Sequence, residues 1–354
     1  MTKDEGRIPV AILGATGLVG QRLLALLERH PWFEIAEVAA SERSAGKPFA
    51  QATRWRLAQP IPEAVARMTV VGSDPEQVHS KVVFSALDAV AAGQVEARFA
   101  AAGRAVISNA RTHRMAPDVP LLIPEVNPDH LGLIERQPTR RRTGGFIVTN
   151  PNCSTIALAL ALAPFERQWG IEEVIVTTLQ AISGAGYPGA AALDLIDNVV
   201  PWIDGEEEKI EAEPLKILGT LGEREVEPAA ARISAQVHRV PVSDGHLLTV
   251  HLRTAGEITP QQAAAAIADF AGEPQRRGLP SAPARPLELV DGVDRPQPRL
   301  DRERGGGMSV VVGRPRRCPV LGTKMEILGH NTLRGAAGGT LLIAEMLADR
   351  GLLP

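Results

Sequence analysis

Short apolar runs alternate with helix-like stretches over the first part of the chain. Residues 8–13 form the first run, and leucines at helical spacing follow from Leu23 to Leu27. Four further strand-like runs occur at residues 35–40, 70–71, 82–84 and 106–107. An Ala-rich helix candidate covers residues 89–102. Buried parallel strands are continuously apolar, and strands that alternate with helices are typical of βαβ units. The pattern predicts an α/β fold with a Rossmann-type parallel sheet.

After residue 150 the elements become longer and more varied. Helix-like stretches cover 154–169, 190–198, 260–272 and 332–347, and strand-like stretches cover 173–183, 237–242, 247–254 and 308–312. Loops are expected at 136–145, 184–189 and the proline-rich 278–304, and a turn at 243–245 is expected to join two strands. We predict a Rossmann-type domain over 1–150, a second α/β domain over 151–330, and a C-terminal helix, 331–354, that returns to the first domain.

The composition is that of an ordinary globular protein and excludes several classes. The chain has 354 residues, enough for about two domains, with a net charge of −3. Without a basic excess no nucleic-acid partner is expected, and the longest apolar run, 156–164, is too short to cross a membrane. Residues 1–7 lack the apolar core of a signal peptide, and two cysteines cannot build a disulfide framework. We expect a cytoplasmic enzyme or binding protein.

A glycine-rich turn follows the first strand and precedes the first helix. It consists of Gly14, Ala15, Thr16, Gly17, Leu18, Val19 and Gly20. Glycine allows a tight turn and a close approach to a pyrophosphate, and the helix N-terminus offers free N–H groups. The spacing departs from the usual G-x-G-x-x-G, so the flanking strand and helix carry the interpretation. We expect a dinucleotide cofactor here, with a ligand-free tight turn as the alternative.

The loop after the second strand bears on which dinucleotide binds. An acidic residue about 20 positions beyond the glycines often binds the ribose hydroxyls of NAD, and Glu42 could do so. Arg43, with the hydroxyls of Ser41 and Ser44, could instead hold the 2′-phosphate of NADP. We favour NADP(H), and a simple polar turn is the third interpretation.

Cys153 is the candidate nucleophile, because it lies directly before a helix-like run. A thiol at a helix N-terminus is expected to have a lowered pKa, and the thiolate is the reactive form. The amide of Asn152 and nearby N–H groups could stabilise an oxyanion. Cys318 has no such setting, and we interpret it as structural.

A second cluster lies in the segment from Arg239 to His246. A histidine after a tight glycine turn is suited to acid and base chemistry near pH 7, and an arginine offers a planar fork for a carboxylate. His238 and His251 are nearby alternatives, and a surface turn without function remains open. No group of Cys, His, Asp or Glu shows convincing metal-ligand spacing, so we expect no metal.

Eight short motifs lie in order along the chain, namely Gly14 to Gly20, Ser108 to Met115, Pro124 to Asn127, Asn152 to Thr155, Gln180 to Gly186, Glu206 to Lys209, Arg239 to His246, and His330 to Thr332. Together they resemble the aspartate-semialdehyde dehydrogenases, particularly the branch typical of archaea and fungi. The resemblance covers nearly the whole chain. It implies an NADP-binding Rossmann domain and an α/β catalytic and dimerisation domain, assembled as a homodimer or homotetramer.

The resemblance also implies a reaction, in which NADPH reduces L-aspartyl-4-phosphate to L-aspartate-4-semialdehyde and phosphate leaves. This step leads toward lysine, threonine, methionine and isoleucine. Carried over by position, the roles are nucleophile for Cys153, acid/base for His246, orientation of the thiohemiacetal for Gln180 and Asn152, phosphate binding for Arg114 and Lys209, carboxylate binding for Arg239, amine binding for Glu206, and proximity to the nicotinamide for Ser183, Gly184, Gly186 and Asn331.

Several alternatives remain at this stage. Arg111 could share or take the phosphate role of Arg114, and Glu207 or Glu208 could replace Glu206 as the amine ligand. Glu206 is preferred because it precedes Lys209 by three residues, which places both on one face of a helix. Related reductases of malonyl-CoA or N-acetyl-glutamyl phosphate, and a catalytically silent nucleotide-binding regulator, are the rival functions.

Overall fold

The computed structural model describes residues 6–354 and contains two large sheets. The first sheet is parallel and has the strand order β3-β2-β1-β4-β5-β6. Its strands are β1 (Ile8–Leu13), β2 (Phe33–Ala40), β3 (Val71–Gly72), β4 (Val82–Ser85), β5 (Ala105–Ser108) and β6 (Phe146–Thr149). The chain adds β2 and β3 on one side of β1 and then β4, β5 and β6 on its other side. The switch point between β1 and β4 is that of doubly wound dinucleotide-binding folds. Of the polar stretch 1–7 considered above, residues 1–5 lie outside the described part.

Both faces of the first sheet are covered, which explains why its strands are continuously apolar. The helices of this half are α1 (Leu18–Leu27), α2 (Phe49–Ala52), α3 (Glu63–Ala66), α4 (Ala89–Ala101) and α5 (Pro138–Thr143). Val10 and Ile12 of β1 belong to the same core as Leu23 of α1. The alternate residues Ala11 and Leu13 pack in a second core with Phe99 and other side chains on the opposite face. Alternation of side chains along a strand produces this division.

The second sheet is mixed and has the strand order β10-β7-β11-β14-β13-β12. Its strands are β7 (Ile171–Gln180), β10 (Arg232–Arg239), β11 (His246–Thr254), β12 (Leu287–Val290), β13 (Val310–Cys318) and β14 (Gly322–Gly329), while β8 (Thr220–Leu221) and β9 (Val226–Glu227) form a separate small hairpin. The turn at 243–245 does connect two strands, but these strands do not pair. β7 lies between them and bonds to both, so the catalytic candidates at their ends flank the end of β7.

The helices of the second half are α6 (Cys153–Trp169), α7 (Ala192–Leu195), α8 (Glu206–Ile217), α9 (Pro260–Ala268), α10 (Glu273–Arg277), α11 (Pro298–Asp301) and α12 (Gly338–Asp349). α6 is almost entirely buried and packs with the apolar residues of the second sheet in one core. Its N-terminus directly follows β6 of the first sheet. Cys153 therefore lies where the two sheets meet.

Three segments differ from the sequence-based expectations. Residues 138–143 form α5 rather than a loop, since Pro138 begins the helix and Gly144 ends it in a left-handed conformation. The helix expected over 190–198 is limited to Ala192–Leu195. The proline-rich segment 278–304 contains β12 and α11, because β12 gains a parallel partner in β13 that local sequence does not reveal.

The C-terminal segment contains a π-helical turn, Leu333–Ala337, followed by α12. Leu341 and Leu342 of α12 belong to the core that also contains Leu23 of α1, so this helix packs on the first half. Within 6–354, no helix is long and apolar enough to cross a membrane. The boundaries at 150 and 330 remain predictions.

Candidate active site

The glycine turn lies at the crevice where the strand order of the first sheet reverses. Gly14 has φ +72°, and a Cβ there would lie 2.5 Å from the carbonyl oxygen of Ala86 after β4. Gly17 precedes α1 and no side chain caps that helix, so its first N–H groups are left for an outside acceptor. A tight turn, an uncapped helix and the switch point between β1 and β4 together fit the pyrophosphate of a dinucleotide.

The loop Ser41–Ser44 follows β2, which pairs in parallel with β1, so it lies at the same edge of the sheet. Glu42 and Arg43 are both exposed there, and both interpretations of this loop therefore remain. Lys47 was not considered from the sequence. Its Nζ donates to the carbonyl oxygen of Arg43 at 2.7 Å and adds a second cation to the loop.

Cys153 and His246, which are 93 residues apart, form a direct pair. Sγ of Cys153 lies 3.2 Å from Nε2 of His246, and the imidazole is fully buried. Cys153 is the first residue of α6, and the main chain of Gly335 in the π-helical turn packs against it. A Cβ at Gly335 would lie 2.7 Å from the Cβ of Cys153. The sequence reasoning missed this glycine, whose lack of a side chain leaves room for the nucleophile.

The second ring nitrogen of His246 determines which nitrogen carries the proton. The main-chain N–H of Ala181 donates to Nδ1 at 3.0 Å. Nδ1 must then accept, so in the neutral ring the proton is on Nε2. His246 therefore presents an N–H donor to the sulfur of Cys153 and to any oxyanion that forms beside it.

The expected low pKa of Cys153 is wrong for this structure. Burial, followed by the negative charge of Glu206, raises the pKa of Cys153 to about 12 despite three nearby cations. Burial and the positive charge of Arg239 lower the pKa of His246 to about 3. Desolvation disfavours the charged form of each group, and at Cys153 it outweighs the attraction of Arg114, Arg239 and Lys209. The resting pair is a neutral thiol beside a neutral imidazole.

One face of α8 lines the site with Glu206 and Lys209. The carboxylate of Glu206 accepts hydrogen bonds from Nδ2 of Asn152 at 3.0 and 3.1 Å and from Nε2 of Gln180 at 3.3 Å, and it pairs with Lys209. Burial acts to raise the pKa of Glu206, but the Lys209 charge and these hydrogen bonds outweigh it and lower that pKa. The carboxylate is therefore ionised.

The three consecutive glutamates of α8 differ in exposure and in their partners. Glu206 is 8% exposed and faces the Cys153 loop. Glu207 instead accepts from the main-chain N–H of Val237 at 3.2 Å, and Glu208 is exposed. Of the three, Glu206 is the one that bonds to Asn152 and Gln180 beside Cys153 and His246.

Arg239 and the loop 183–186 complete the other side of the site. Nη1 of Arg239 donates to the carbonyl oxygen of Ala181 at 2.8 Å. A Cβ at Gly184 would lie 2.8 Å from Arg239 and 3.0 Å from the His246 ring, so glycine allows the loop to cover both side chains. Nδ2 of Asn331 donates to Oγ of Ser183 at 2.8 Å, which ties this loop to the segment before the π-helical turn.

Arg114 lies near Cys153 but is already engaged within the protein. It is 7% exposed, and its guanidinium donates to Oε1 of Glu213 at 2.9 Å and to the carbonyl oxygen of Asn109 at 2.8 Å. Arg111 is exposed and lies beside the N-terminus of α8. A Cβ at Gly205, directly before this helix, would lie 3.5 Å from Nη1 of Arg111 and 3.8 Å from Cε of Lys209. Both arginines are thus placed near the site, and Glu213 is a buried partner that sequence reasoning missed. Its only signal was its position seven residues after Glu206 on the same helix.

Cys318 lies away from this cluster. It is 3% exposed, and its Sγ is 3.4 Å from Nδ1 of His251, one of the alternatives considered above. His238 lies on β10 next to Arg239, and Cys153 pairs with His246 rather than with His238. Within residues 6–354 no three Cys, His, Asp or Glu side chains are grouped as metal ligands.

A doubly wound sheet with an uncapped glycine turn, opening toward a Cys–His pair and several cations, defines a class of protein. It is a dinucleotide-dependent dehydrogenase that acts through a cysteine. A family model described as the NAD binding domain of semialdehyde dehydrogenase matches residues 9–134, and one described as the dimerisation domain matches residues 162–334. The chain belongs to the aspartate-semialdehyde dehydrogenase family.

Curated relatives agree with this assignment over the full length. Aspartate-semialdehyde dehydrogenase from Methanothermobacter thermautotrophicus is 50% identical over 345 residues, covering 97% of this chain and 99% of the relative. The Archaeoglobus fulgidus enzyme is 48% identical over 347 residues, covering 98% and 100%. The crystal structure of the Candida albicans enzyme with NADP has a TM-score of 0.91 and 40% identity, and covers 98% of this chain and 100% of that chain. The fold class and the archaeal and fungal resemblance are thus confirmed.

Proposed function

We propose that this enzyme reduces L-aspartyl-4-phosphate to L-aspartate-4-semialdehyde with NADPH, through a thioester on Cys153. Family membership supports the reaction. The observation that carries the mechanism is the Cys153–His246 pair, 3.2 Å apart at the N-terminus of α6 and surrounded by Arg114, Lys209 and Arg239. A thiol nucleophile suits this chemistry because a thioester accepts a hydride more readily than an oxygen ester does.

In the first step Cys153 attacks the acyl carbon and the bond to the phosphate oxygen breaks. The resting thiol is neutral, so it must lose its proton as it attacks. The leaving phosphate takes up this proton. Arg114 and Lys209 would hold the phosphate, with Arg111 as a further anchor at the exposed side. Cations at this position stabilise the charge that develops on the leaving group.

In the second step the thioester is reduced and then released as the aldehyde. When bound, NADPH supplies the hydride. The Nε2–H of the neutral His246 would donate a hydrogen bond to the oxyanion of the thiohemiacetal and then to the departing thiolate. Solvent would return to the sulfur the proton that left with the phosphate. The side-chain amides of Asn152 and Gln180 would orient the same intermediate.

The two remaining polar groups of the substrate need partners of opposite charge. Arg239 would bind the α-carboxylate through its planar guanidinium. Glu206, ionised and turned into the site, would accept the α-amino group. Both charges act on His246, since Arg239 lowers and Glu206 raises the pKa of its imidazole, so the two anchors lie near the ring.

The cofactor is NADP(H), and we propose the following contacts for it. The glycine turn with Thr16, Leu18 and Val19 would hold the pyrophosphate, and Ser41, Arg43 and Ser44 the 2′-phosphate. Ser183, Gly184, Gly186 and Asn331 would lie beside the nicotinamide. A homodimer or homotetramer is proposed from the dimerisation-domain match, and a cytoplasmic location suits both NADPH and free thiols.

The deciding assay follows NADPH formation from aspartate semialdehyde and NADP, with and without inorganic phosphate. Phosphate-dependent oxidation is the expected result. A parallel reductive assay with malonyl-CoA and NADPH tests the rival substrate, and activity in that assay alone would move Glu206 and Lys209 out of their proposed roles. Silence of both reactions in folded protein that binds NADPH would favour the regulatory alternative. Light scattering of the same sample distinguishes a dimer from a tetramer.

A further inference from the structure

A buried carboxylate on α8 joins two parts of the active site that are distant in sequence. Glu213 is 2% exposed, and its two oxygens have different partners. Oε1 accepts from Nη1 of Arg114 at 2.9 Å, and Oε2 accepts from the main-chain N–H of Asn152 at 2.7 Å. The proposed chemistry gives Glu213 no task of its own.

The spacing of three residues on α8 explains how this helix reaches the nucleophile. Glu206, Lys209 and Glu213 are three and then four residues apart, so they lie along one face. Glu206 accepts from the side chain of Asn152 and Glu213 accepts from its main-chain N–H, so α8 fixes both the side chain and the main chain of this residue. The carbonyl of that side chain also caps α6 through the N–H groups of Ser154 and Thr155. Any movement of Asn152 therefore moves Cys153.

The same helix holds the loop that carries Arg114. Besides the Glu213 ion pair, Nζ of Lys216 donates to the carbonyl oxygens of Arg114, Ala116 and Val119 at 2.7–2.9 Å. Within residues 6–354, the guanidinium of Arg114 has one other acceptor, the carbonyl oxygen of Asn109. Loss of the carboxylate would leave a buried positive charge without a counter-charge, which destabilises the folded protein. The guanidinium of Arg114 would then turn to a new partner.

We propose that Glu213 is a positioning residue that fixes the distance between the phosphate anchor Arg114 and the nucleophile Cys153. The inference rests on the proposed function. One carboxylate oxygen of Glu213 bonds to Arg114 and the other to the main chain of Asn152, directly before Cys153. Glu213 thereby fixes the position of the leaving phosphate relative to the attacking sulfur. Misplacement of reacting groups by about 1 Å can cost on the order of a hundredfold in rate.

The test uses Glu213→Gln in the phosphate-dependent oxidation of aspartate semialdehyde. The amide keeps the size of the side chain, but it can accept from only one of the two donors. We expect a rise in the KM for phosphate and a fall in kcat, each on the order of tenfold, while the KM for NADP stays within about twofold. Glu211→Gln is the matched control, because Glu211 lies on the same helix and accepts from the main-chain N–H of Ala235, at 3.0 Å, rather than from Arg114 or Asn152.

The effect through Arg114 is isolated in an Arg114→Ala background. There the phosphate KM should no longer respond to Glu213→Gln, because the anchor that Glu213 positions is absent. If Glu213→Gln fails to fold, Glu213→Asp keeps the charge but is too short to span both donors, and it should raise the phosphate KM.

Three results would overturn the inference. One is a folded variant with the phosphate KM and kcat of the wild type. Another is a fall in kcat that leaves the phosphate KM unchanged and persists in the Arg114→Ala background, which would indicate only general stability. The third, no phosphate-dependent turnover in the wild-type enzyme, would reject the proposed function itself and is seen before any variant is made.

Discussion

The main-chain N–H of Ala181 donates to Nδ1 of His246 and thereby places the imidazole proton on Nε2, toward the sulfur of Cys153. A main-chain donor cannot reverse its role, so this tautomer does not depend on side-chain motion. An imidazolium would bring a second N–H against that of Ala181. The geometry thus agrees with the pKa of His246, which burial lowers to about 3.

The low pKa of His246 predicts a contribution to acid denaturation. The unfolded histidine titrates near pH 6.5 and the folded one near 3, so below about 6.5 the unfolded state binds the extra proton. The free energy of unfolding should therefore fall as the pH drops from 6.5 toward 3. In His246→Gln this part of the fall should be absent in urea titrations at pH 7 and pH 4.5. An equal fall in the free energy of unfolding between pH 7 and pH 4.5 in both proteins would contradict a buried neutral ring.

The raised pKa of Cys153 changes the expected order of thiol alkylation. A lowered pKa, as a helix N-terminus alone would give, would make iodoacetamide modify Cys153 well before Cys318. With a pKa of about 12, the Cys153 thiolate is scarce at neutral pH, and its alkylation rate should rise about tenfold per pH unit through pH 7–10. Peptide mass spectrometry of samples quenched over time gives this rate. A plateau near pH 8 would refute the raised pKa.

Removal of the Glu206 charge should make Cys153 more reactive while it disables turnover. Glu206 is the second cause of the raised Cys153 pKa, so Glu206→Gln should lower that pKa and speed alkylation at pH 8 by about tenfold for each pKa unit. Glu207→Gln is the matched control, since Glu207 bonds to Val237. Slower alkylation in Glu206→Gln than in the control would contradict this electrostatic picture.

Gln21 is expected to be a large contributor to stability at the glycine turn. It is 1% exposed; Nε2 donates to the carbonyl oxygens of Thr16 and Arg54 at 3.0 Å, and Oε1 accepts from the N–H of Arg56 at 2.8 Å. Gln21→Leu leaves these main-chain groups without partners and should lower the free energy of unfolding by ~2–4 kcal/mol.

Urea denaturation measures this loss, and Gln51→Leu on α2 provides the comparison. Gln51 is exposed, so its substitution should change stability by less than about 0.5 kcal/mol. Similar values for the two variants would show that the buried hydrogen bonds of Gln21 add little.

The 2′-phosphate assignment predicts a selective change in cofactor use. Arg43→Ala should raise the KM for NADPH by on the order of tenfold, the worth of a charged hydrogen bond, and leave the KM for NADH nearly unchanged. Glu42→Gln should have no such selectivity if Glu42 does not bind the ribose. Equal effects of Arg43→Ala on both cofactors would defeat the assignment.

Several features of the fold could be predicted because they depend on local pattern. The apolar runs of the first sheet, the glycine turn and the buried helix after Cys153 all appear where the sequence indicates them. β12 and the insertion of β7 between β10 and β11 could not be predicted. Strand pairing joins segments that are far apart in the chain, and no short motif encodes the partner.

The sequence by itself determined the class of enzyme, because the parallel sheet, the glycine turn and the residues Cys153 and His246 are recorded in contiguous stretches. Only the tertiary structure decided the protonation of that pair, the different partners of the three glutamates, and the link through Glu213. The physical reason is that a pKa and a hydrogen bond depend on burial and on neighbours from other elements. Ala181 is 65 residues from His246, and Glu213 is 99 residues from Arg114.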